Sequence, residues 1–484
     1  MGVTTRLDLI KMISAAAVLL LFSAVQARAQ EPIQSIPDAE LVFEQAVEAF
    51  EEGDYGMAFR RFRMVYSTYP LNRKTTAAML MAGKALYRDG QYEDAIEILN
   101  TLVSRYPTSG YLGEARRVIS FAQQLQNEEQ SSGGVLNLGI VLPLQGEDAT
   151  LTQALFTGVR IAVEEHNALN DQPVKMLFRD SRGESQRAAE AVSELADLGV
   201  QVIVGPLYSD EAQAAAQAAE RARVVLIPPL ANDEAVSDGR DYVFQANPTI
   251  STHGRLMARF AIQSMIMNEF GIVAGRDRDA ISERMAEGFQ EEALLQGTDV
   301  RFYELLESTD DWAQLGEAIG NDTLQSVDAI YFPMAGGDVV TRIDAVFSSL
   351  YQAGAERVRV LGNTEWHGLP NPNQASRYGA TYTNDFYIDE TDASVQSFSD
   401  RFNEVTGRIP NPSSTIGRLG FTAYDVTRFV LTHLTSSSSR PLRERLRRAP
   451  AYQGLGIRID FRNGNVNEAL YYLRYQDGRS VLVR

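Results

Sequence analysis

Two kinds of apolar pattern alternate along the chain from about residue 135 to residue 229. Short runs rich in valine, isoleucine and leucine predict buried strands, as in LNLGIVLPL (136–144) and VQVIVGP (200–206). Between them, segments such as ALFTGVRIAVEEHNAL (154–169) place apolar residues at helical spacing. Continuous apolar strands separated by amphipathic helices are typical of a parallel sheet covered on both faces. This part of the chain is therefore predicted to form one doubly wound α/β lobe.

The same alternation starts again further along, from FGIVAG (270–275) to VRVLGN (358–363). It predicts a second lobe of the same kind. Two similar lobes imply a hinge and a cleft between them. Because ligands of open α/β sheets collect at the carboxyl ends of the strands, the loops that follow the strands are the expected ligand site.

The residues before the first lobe contain an internal repeat. GDYGMAFRRFRMVYSTYP (53–70) is matched by GQYEDAIEILNTLVSRYP (90–107). Each unit predicts a helical hairpin, and the region 30–125 resembles tetratricopeptide repeats with a capping helix at 112–125. Such arrays usually bind a partner protein; the alternative is that they only space or dimerise the larger domain. Residues 126–134 (QNEEQSSGG) have no apolar side chain and predict a flexible linker.

The N-terminus has the pattern of a secretory signal. Arg6 and Lys11 precede or border an apolar run at 12–25, and Ala-Arg-Ala at 27–29 fits a small-x-small cleavage site. Residues 1–29 are therefore predicted to be removed. The alternative is an N-terminal anchor, but the run is shorter than the ~20 residues that span a bilayer.

Composition narrows the chemistry and the location. The 484 residues carry 45 Lys+Arg against 63 Asp+Glu, a net charge of −18, and so acidic a surface disfavours nucleic acid as a partner. The absence of cysteine excludes thiolate chemistry, disulfides, iron–sulfur clusters and lipid attachment through cysteine. We expect a soluble periplasmic protein that is not a lipoprotein and is not inserted in the membrane after signal cleavage.

No enzyme motif is present. The sequence contains no GxSxG, HExxH, GxGxxG or GxxxxGK[ST], and its four histidines lack metal-ligand spacing. Only His367 lies near the predicted cleft, and one histidine beside one glutamate does not predict catalysis. The sequence therefore predicts no catalytic residues, no metal ligands and no cofactor.

The order of segments over residues 136–484 resembles type 1 periplasmic binding proteins of the Leu/Ile/Val-binding kind. GIVLPLQG, FTGVRIAVEEHN, a strand ending in Asp180, VIVGPLYS and VLIPPLAN follow one another as in the first lobe of that family. YVFQANPTISTHGRLMA (242–258) is similar to its first crossover, and YGATYTNDFY (378–387) to the segment that returns the chain. The resemblance implies a two-lobed fold of two doubly wound parallel sheets.

The same resemblance implies where the lobes divide within residues 135–484. Lobe one is expected at about 135–247 and 384–450, and lobe two at about 248–383 and 451–484. A closing hairpin is expected within 454–478, with its turn at Asn463-Gly464.

The family's ligand site is implied by position in lobe one. Ser209 falls on a serine whose hydroxyl holds a ligand carboxylate, at a helix N-terminus that favours an anion. The alternative is that Ser209 only caps that helix. Asn232 falls where threonine is usual, and Leu230 supplies its backbone. Gln145 and Tyr208 complete the residues assigned to this side.

Lobe two departs further from the family. Ala335 occupies the position of a tyrosine, and Glu365 lies near the acidic residue that takes an ammonium group. A solvated loop is the alternative for Glu365. Trp366 either stacks on a ligand or packs under the rim of the lobe. These departures count against a free amino acid as the ligand.

Two functions are consistent with these features. The first is a solute-binding protein that closes on a small polar ligand, amino acid-like or related, for an ABC-type transporter or for sensing, with the repeats contacting an envelope protein. The alternative is a non-transport envelope regulator, because helical repeats followed by a type 1 binding domain are similar to the penicillin-binding protein activator lipoprotein family. That family is acylated on cysteine, which this chain lacks. The retained Ser209 and Asn232 favour the first function.

Overall fold

The computed structural model describes four stretches of the chain, residues 35–130, 135–144, 149–435 and 440–483. The predicted signal at 1–29 and the site residue Gln145 lie outside them. The chain divides into two compact units between Asn127 and Glu128. The first unit is helical and the second is α/β. In the described part of the chain, none of the helices combines the length and apolar character that crossing a membrane requires.

The first unit consists of consecutive packed helices, α1 (Pro37–Glu51), α2 (Tyr55–Ser67), α3 (Thr75–Arg88), α4 (Tyr92–Arg105) and α5 (Leu112–Gln130). The glycines matched in the two repeat units, Gly53 and Gly90, both have positive φ, at 72° and 79°, in the turns after α1 and α3. At Gly83 a side chain would overlap Leu99, so glycine sets the close approach of α3 and α4. The prediction of helical hairpins is confirmed.

The first pass through lobe one builds a parallel sheet in the order β2-β1-β3-β4. Its strands are β1 (Leu136–Leu142), β2 (Val174–Asp180), β3 (Val202–Val204) and β4 (Val225–Ile227). Its helices are α6 (Ala149–Leu169), α7 (Ser185–Asp197) and α8 (Ser209–Ala222). Alternate residues face opposite layers, so Ile140 packs in the core with α6 whereas Val141 packs with α7 and α8.

Lobe two contains a seven-stranded sheet in the order β13-β12-β9-β8-β7-β5-β6. Its parallel strands are β5 (Glu269–Gly275), β6 (Asp299–Leu306), β7 (Ala329–Phe332), β8 (Arg359–Gly362) and β9 (Thr381–Asn384). Its helices are α9 (Ile250–Gln263), α10 (Ile281–Leu295), α11 (Thr309–Trp312), α12 (Leu315–Ala318), α13 (Asn321–Gln325), α14 (Val339–Gln352) and α15 (Pro372–Arg377).

The chain then returns to lobe one before it closes the second sheet. The returning elements are α16 (Ala393–Thr406), α17 (Thr415–His433), α18 (Leu442–Arg448), β10 (Tyr452–Gln453) and β11 (Arg458–Ile459). At Gly158 of α6 a side chain would overlap the backbone of Gly420, which explains the close packing of α6 and α17. The antiparallel hairpin of β12 (Tyr471–Gln476) and β13 (Arg479–Leu482) completes the sheet of lobe two. The prediction of a two-lobed α/β fold after a helical region is confirmed.

Three details of the sequence interpretation are wrong. Residues 126–130 of the predicted linker at 126–134 belong to helix α5, which ends at Gln130. The hairpin turns at Asp477-Gly478, where φ is 51° and 70°, and not at Asn463-Gly464. The segment just before Asn463 cannot pair with β12 because Ile457, like its neighbours, packs in the core of lobe one. For the same reason residues 451–461 lie in lobe one rather than in lobe two.

Candidate ligand-binding site

Three crossovers join the lobes, at residues 244–249, 384–388 and 461–470. The first and third are hydrogen-bonded to each other: the N–H of Gln245 donates to the carbonyl of Asn465 (2.8 Å), and the N–H of Asn467 donates to the carbonyl of Gln245 (3.0 Å). The buried Gln245 side chain also donates to the carbonyls of Ala231 and Asp233, both at 3.0 Å. The crossovers are thereby fixed to the loop that follows β4.

Asn467 uses the full hydrogen-bonding capacity of its side chain at this junction. Its Nδ2 donates to the carbonyls of Ala246 (2.8 Å) and Arg458 (2.7 Å). Its Oδ1 accepts from the N–H groups of Asp460 (2.9 Å) and Ala469 (3.0 Å). A buried amide with all four positions satisfied fixes the segments that it contacts.

A cavity of about 150 Å³ opens beside the crossovers. Its lining combines the loop after β4, all three crossovers and the first turns of α17. Among the lining residues are Leu230, Asn247, Asp385, Thr415, Arg418 and Thr422. The carbonyl of Leu230 accepts a hydrogen bond from Nδ2 of Asn247 (3.1 Å), so Asn247 orients the loop that carries the predicted site residue.

Two opposite charges line this cavity. The Arg418 guanidinium donates to the carbonyl of Pro412 (3.1 Å) and lies 5.4 Å from the ring centroid of Phe386. Neither Arg418 nor Asp385 forms an ion pair with any residue in the described stretches. Asp385 lies close to the buried His253. Burial lowers the pKa of His253, and the negative charge of Asp385 opposes that change. The cavity thus offers one half-buried cation and one half-buried anion, each without a charged partner of its own.

Ser209 lies beside Asn232, which is on the loop after β4, and neither residue is part of the cavity lining. Tyr208 is the N-cap residue of α8 and Ser209 is the first residue of the helix. The Ser209 hydroxyl accepts from the N–H of Asn232 (3.4 Å), and within the described residues it accepts no hydrogen bond from an N–H of its own helix. Asn232 has an exposed side chain, and its carbonyl accepts from the N–H of Ile250 (3.1 Å), where α9 begins.

In lobe two the loops after β7 and β8 are joined by Asn363. Its Oδ1 accepts from the N–H of Met334 and its Nδ2 donates to the carbonyl of Met334, both at 2.9 Å. Ala335 is buried, and its carbonyl accepts from Nη1 of Arg342 (3.0 Å). Glu365 is exposed as a whole residue, but its carboxyl is partly surrounded by protein, and this burial raises its pKa.

Trp366 does not face the cleft. Its side chain is 0% exposed, its Nε1 donates to the carbonyl of Phe332 (2.9 Å), and its ring meets Phe347 edge-on. Stacking of Trp366 on a ligand is therefore wrong for this structure, and packing under the rim of lobe two describes the residue. Its flat apolar ring fills the space over Gly362, where any side chain would overlap it.

One ionic contact connects the lobes near the site. Arg284 on α10 of lobe two contacts the carboxylates of Glu234 and, at 3.6 Å, Asp233, both on the loop after β4. Glu234 also accepts from the N–H of Ser251 (2.9 Å) in the first turn of α9. The loop that carries Leu230 and Asn232 is thus held from both lobes.

Sequence reasoning missed Arg418, Asp385 and Asn247. Asp385 follows the carboxyl end of β9 and Asn247 lies on the first crossover, which are the positions where a cleft ligand is expected. Arg418 had no such signal, because it lies on a helix that reaches the cavity only in three dimensions. In the described stretches, no three His, Asp or Glu residues are grouped so that they could hold a metal ion.

Two sheets, three crossovers and a cleft beside them define a two-lobed ligand-binding fold. A family model described as periplasmic binding protein matches residues 135–479. The chain belongs to the periplasmic binding protein family, as the order of its segments predicted. A second model, described as outer membrane lipoprotein, matches residues 36–132, so the helical unit is similar to that family. No curated protein sequence matches the chain.

Solved structures with the same fold include three bacterial relatives. One is a Rhodospirillum rubrum protein assigned to a branched-chain amino acid ABC transporter, with 20% identity, a TM-score of 0.57, and coverage of 72% of this chain and 100% of that one. An ABC transporter substrate-binding protein from Desulfitobacterium hafniense complexed with Leu has 19% identity, a TM-score of 0.50, and coverage of 72% and 99%. Its counterpart from Sphaerobacter thermophilus has 16% identity, a TM-score of 0.50, and coverage of 72% and 96%. At these identities the likeness shows the fold.

Proposed function

We propose that the α/β unit is a periplasmic solute-binding protein that closes its lobes on a small zwitterionic, amino acid-like ligand, for an ABC-type transporter or for sensing. The observation that carries this proposal is the pair of unpartnered opposite charges, Arg418 and Asp385, in one cavity at the crossovers. The cavity volume of about 150 Å³ suits a ligand of amino acid size rather than a polymer.

In this proposal Arg418 binds the ligand carboxylate, since a guanidinium donates two parallel hydrogen bonds to a carboxylate. Asp385 accepts from the ligand ammonium. A ligand with a single charge would leave the other protein charge half-buried and unpaired, and that costs free energy. A zwitterion satisfies both charges at once.

Ser209 and Asn232 extend the site in the proposal. The N–H of Asn232 already donates to the Ser209 hydroxyl, so the serine hydrogen is available for a ligand oxygen at the start of α8. Closure follows if the ligand contacts lobe one through Arg418 and the second crossover through Asp385, because a ligand favours the state in which it makes more contacts. Leu230 lines the cavity, whereas Tyr208, Ala335 and Glu365 enter the proposal only as flanking residues of the cleft. Gln145 lies outside the described residues.

A thermal-shift screen of the full chain with amino acids, short peptides and muropeptides tests the proposal. A ligand at 100 times its dissociation constant should add about 2.7 kcal/mol to the free energy of unfolding. We expect stabilisation by a zwitterion, and its loss in Arg418→Gln. Arg428→Gln, on the same helix but outside the cavity lining, removes the same charge and should keep the response.

No stabilisation by any of these compounds would overturn solute binding. A second candidate is a regulator of cell-wall synthesis that uses both units for protein contacts, and it is supported by the order of a helical repeat unit followed by a periplasmic binding unit. Co-purification of a cell-wall synthase with the full chain, in the absence of any zwitterion response, would support this second function. A helical unit that binds no envelope protein would contradict it.

A further inference from the structure

A second polar pocket lies at the opposite end of the lobe-two sheet from the crossovers. Its volume is about 750 Å³, and Arg359, Arg377 and Arg474 line it. Arg359 is the first residue of β8, whereas a cleft ligand would lie beyond the last residues of the parallel strands. The pocket is therefore separate from the site proposed above.

Strand register places two of these arginines on one face of the sheet. Arg474 of β12 pairs with Thr381 of β9, and Thr381 pairs with Leu361 of β8. Arg359 is two residues before Leu361 and so points to the same side. Thr381, on the strand between the two arginines, lies on this face, and Gly379 comes two residues before it, just ahead of β9.

Gly379 makes room for Arg359. Its φ is +53°, and a Cβ at this position would lie 2.8 Å from Nη1 of Arg359. From β12, which pairs with the opposite edge of β9, Nε of Arg474 donates to the Thr381 hydroxyl at 3.1 Å. Both guanidinium groups thus lie over the start of β9, and a side chain at position 379 would displace that of Arg359.

Neither guanidinium is neutralised by the protein. Within the described stretches, no carboxylate lies within 4.0 Å of Arg359 or Arg474, whereas the nearby Arg377 is paired with Glu356 at 2.6 Å. Burial and the charge of Arg359 lower the pKa of Arg474. Two like charges in one pocket repel each other unless an anion lies between them. These two arginines are left without a carboxylate partner although the chain has a net charge of −18.

We propose that Arg359 and Arg474 form a binding site for a phosphate group. A phosphate monoester carries about −1.5 to −2 charges near pH 7, which matches two unpaired guanidinium groups, whereas a single carboxylate would leave one of them uncompensated. Asn373, Ser376 and Gln476 add neutral hydrogen-bonding groups to the lining. Asp477 is the only acidic residue among the lining residues, and its charge opposes the anion.

Isothermal titration of the full chain with inorganic phosphate at low ionic strength tests this site. We expect one phosphate per chain, and about tenfold or greater loss of affinity in Arg359→Gln. Arg357→Gln is the matched control, because Arg357 is exposed, lies two residues away and does not line the pocket. Acetate should bind more weakly than phosphate.

A gain-of-affinity variant separates binding from folding. Asp477→Asn removes the opposing charge, and asparagine tolerates the positive φ of 51° at this turn, so phosphate should bind several-fold more tightly. Glycerol phosphate distinguishes the source: tighter binding than inorganic phosphate indicates a phosphate ester such as a headgroup, and equal binding indicates the free anion. The proposal is overturned if phosphate does not bind, if Arg357→Gln weakens binding as much as Arg359→Gln, or if Asp477→Asn does not strengthen it. None of these results depends on the zwitterion response of the cleft.

Discussion

Replacing Asn467 with alanine tests whether one amide holds the junction of the lobes. Asn467 is 2% exposed and joins the first crossover, the end of β11 and the third crossover through four hydrogen bonds. Alanine removes all four bonds without adding bulk. The consequence should be visible in the stability of lobe two, because the third crossover leads directly into β12.

The expected loss can be worked from the four contacts. Asp460 and Ala469 keep N–H donors that lose their acceptor, and each buried unsatisfied donor costs about 1–3 kcal/mol. These two contacts are only part-buried, which places them in the lower half of that range. The carbonyls of Ala246 and Arg458 add less, since a carbonyl has two lone pairs. We expect a total of about 2–4 kcal/mol, a large share of a typical 5–15 kcal/mol.

Tryptophan emission during guanidinium unfolding of the full chain measures this loss. The chain has two tryptophans, Trp312 and Trp366, and both are buried in the core of lobe two. Asn463→Ala is the matched control, because Asn463 is exposed and its side chain donates one hydrogen bond, to Glu468. This variant should change stability by less than about 0.5 kcal/mol. If Asn467→Ala is as stable as this control, the junction does not depend on the amide.

Three further variants probe packing and charge in the α/β unit. Trp366→Ala should lower the free energy of unfolding by about 3–5 kcal/mol, as measured by circular dichroism, with no loss of ligand affinity beyond that expected from unfolding. Weaker binding by the folded variant would indicate that Trp366 contacts the ligand. Gly254→Ala should destabilise the protein because the new Cβ would overlap the carbonyl of Met285, whereas Gly113→Ala, in open space on α5, should be neutral or slightly stabilising in the same melts. Burial lowers the pKa of His253, so the native state excludes a proton that the unfolded chain binds below about pH 6.5. The stability should therefore fall as the pH decreases below that value, by up to about 1.4 kcal/mol per pH unit. Urea titrations should show a smaller fall for His253→Gln than for the unchanged protein. An equal fall in both proteins would exclude His253 as its origin.

The architecture was readable from local patterns because the same physical constraint acts on every element. A parallel strand buried on both faces is predominantly apolar, and Leu136–Leu142, in which Asn137 is the one polar residue, is buried throughout, as its sequence predicts. The helical repeats were readable because each turn needs the same backbone geometry, which Gly53 and Gly90 supply. Local chemistry and final structure agree at these positions.

Prediction failed where distant packing overrides a local signal. Asn463-Gly464 has the composition of a tight hairpin turn, but the core of lobe one holds the residues before it, and the pairing moves to Asp477-Gly478. Trp366 follows a glutamate in a strand-end loop, yet its ring is drawn into the core because Gly362 leaves space for it. Arg418 reaches the cavity only because α17 packs on α6, and no short sequence window contains that contact.

The position of the two cavity charges relates the proposed ligand to the proposed motion. Arg418 belongs to a helix in the core of lobe one, whereas Asp385 lies on the second crossover beside His253 of α9, which packs in lobe two. A ligand held only by Arg418 would have the same contact in every arrangement of the lobes and would shift no equilibrium. A ligand that also reaches Asp385 would gain binding free energy only in arrangements where the second crossover brings Asp385 within contact distance. If the proposal holds, the same half-buried carboxylate would select the cationic end of the ligand and would make its binding depend on the angle between the lobes.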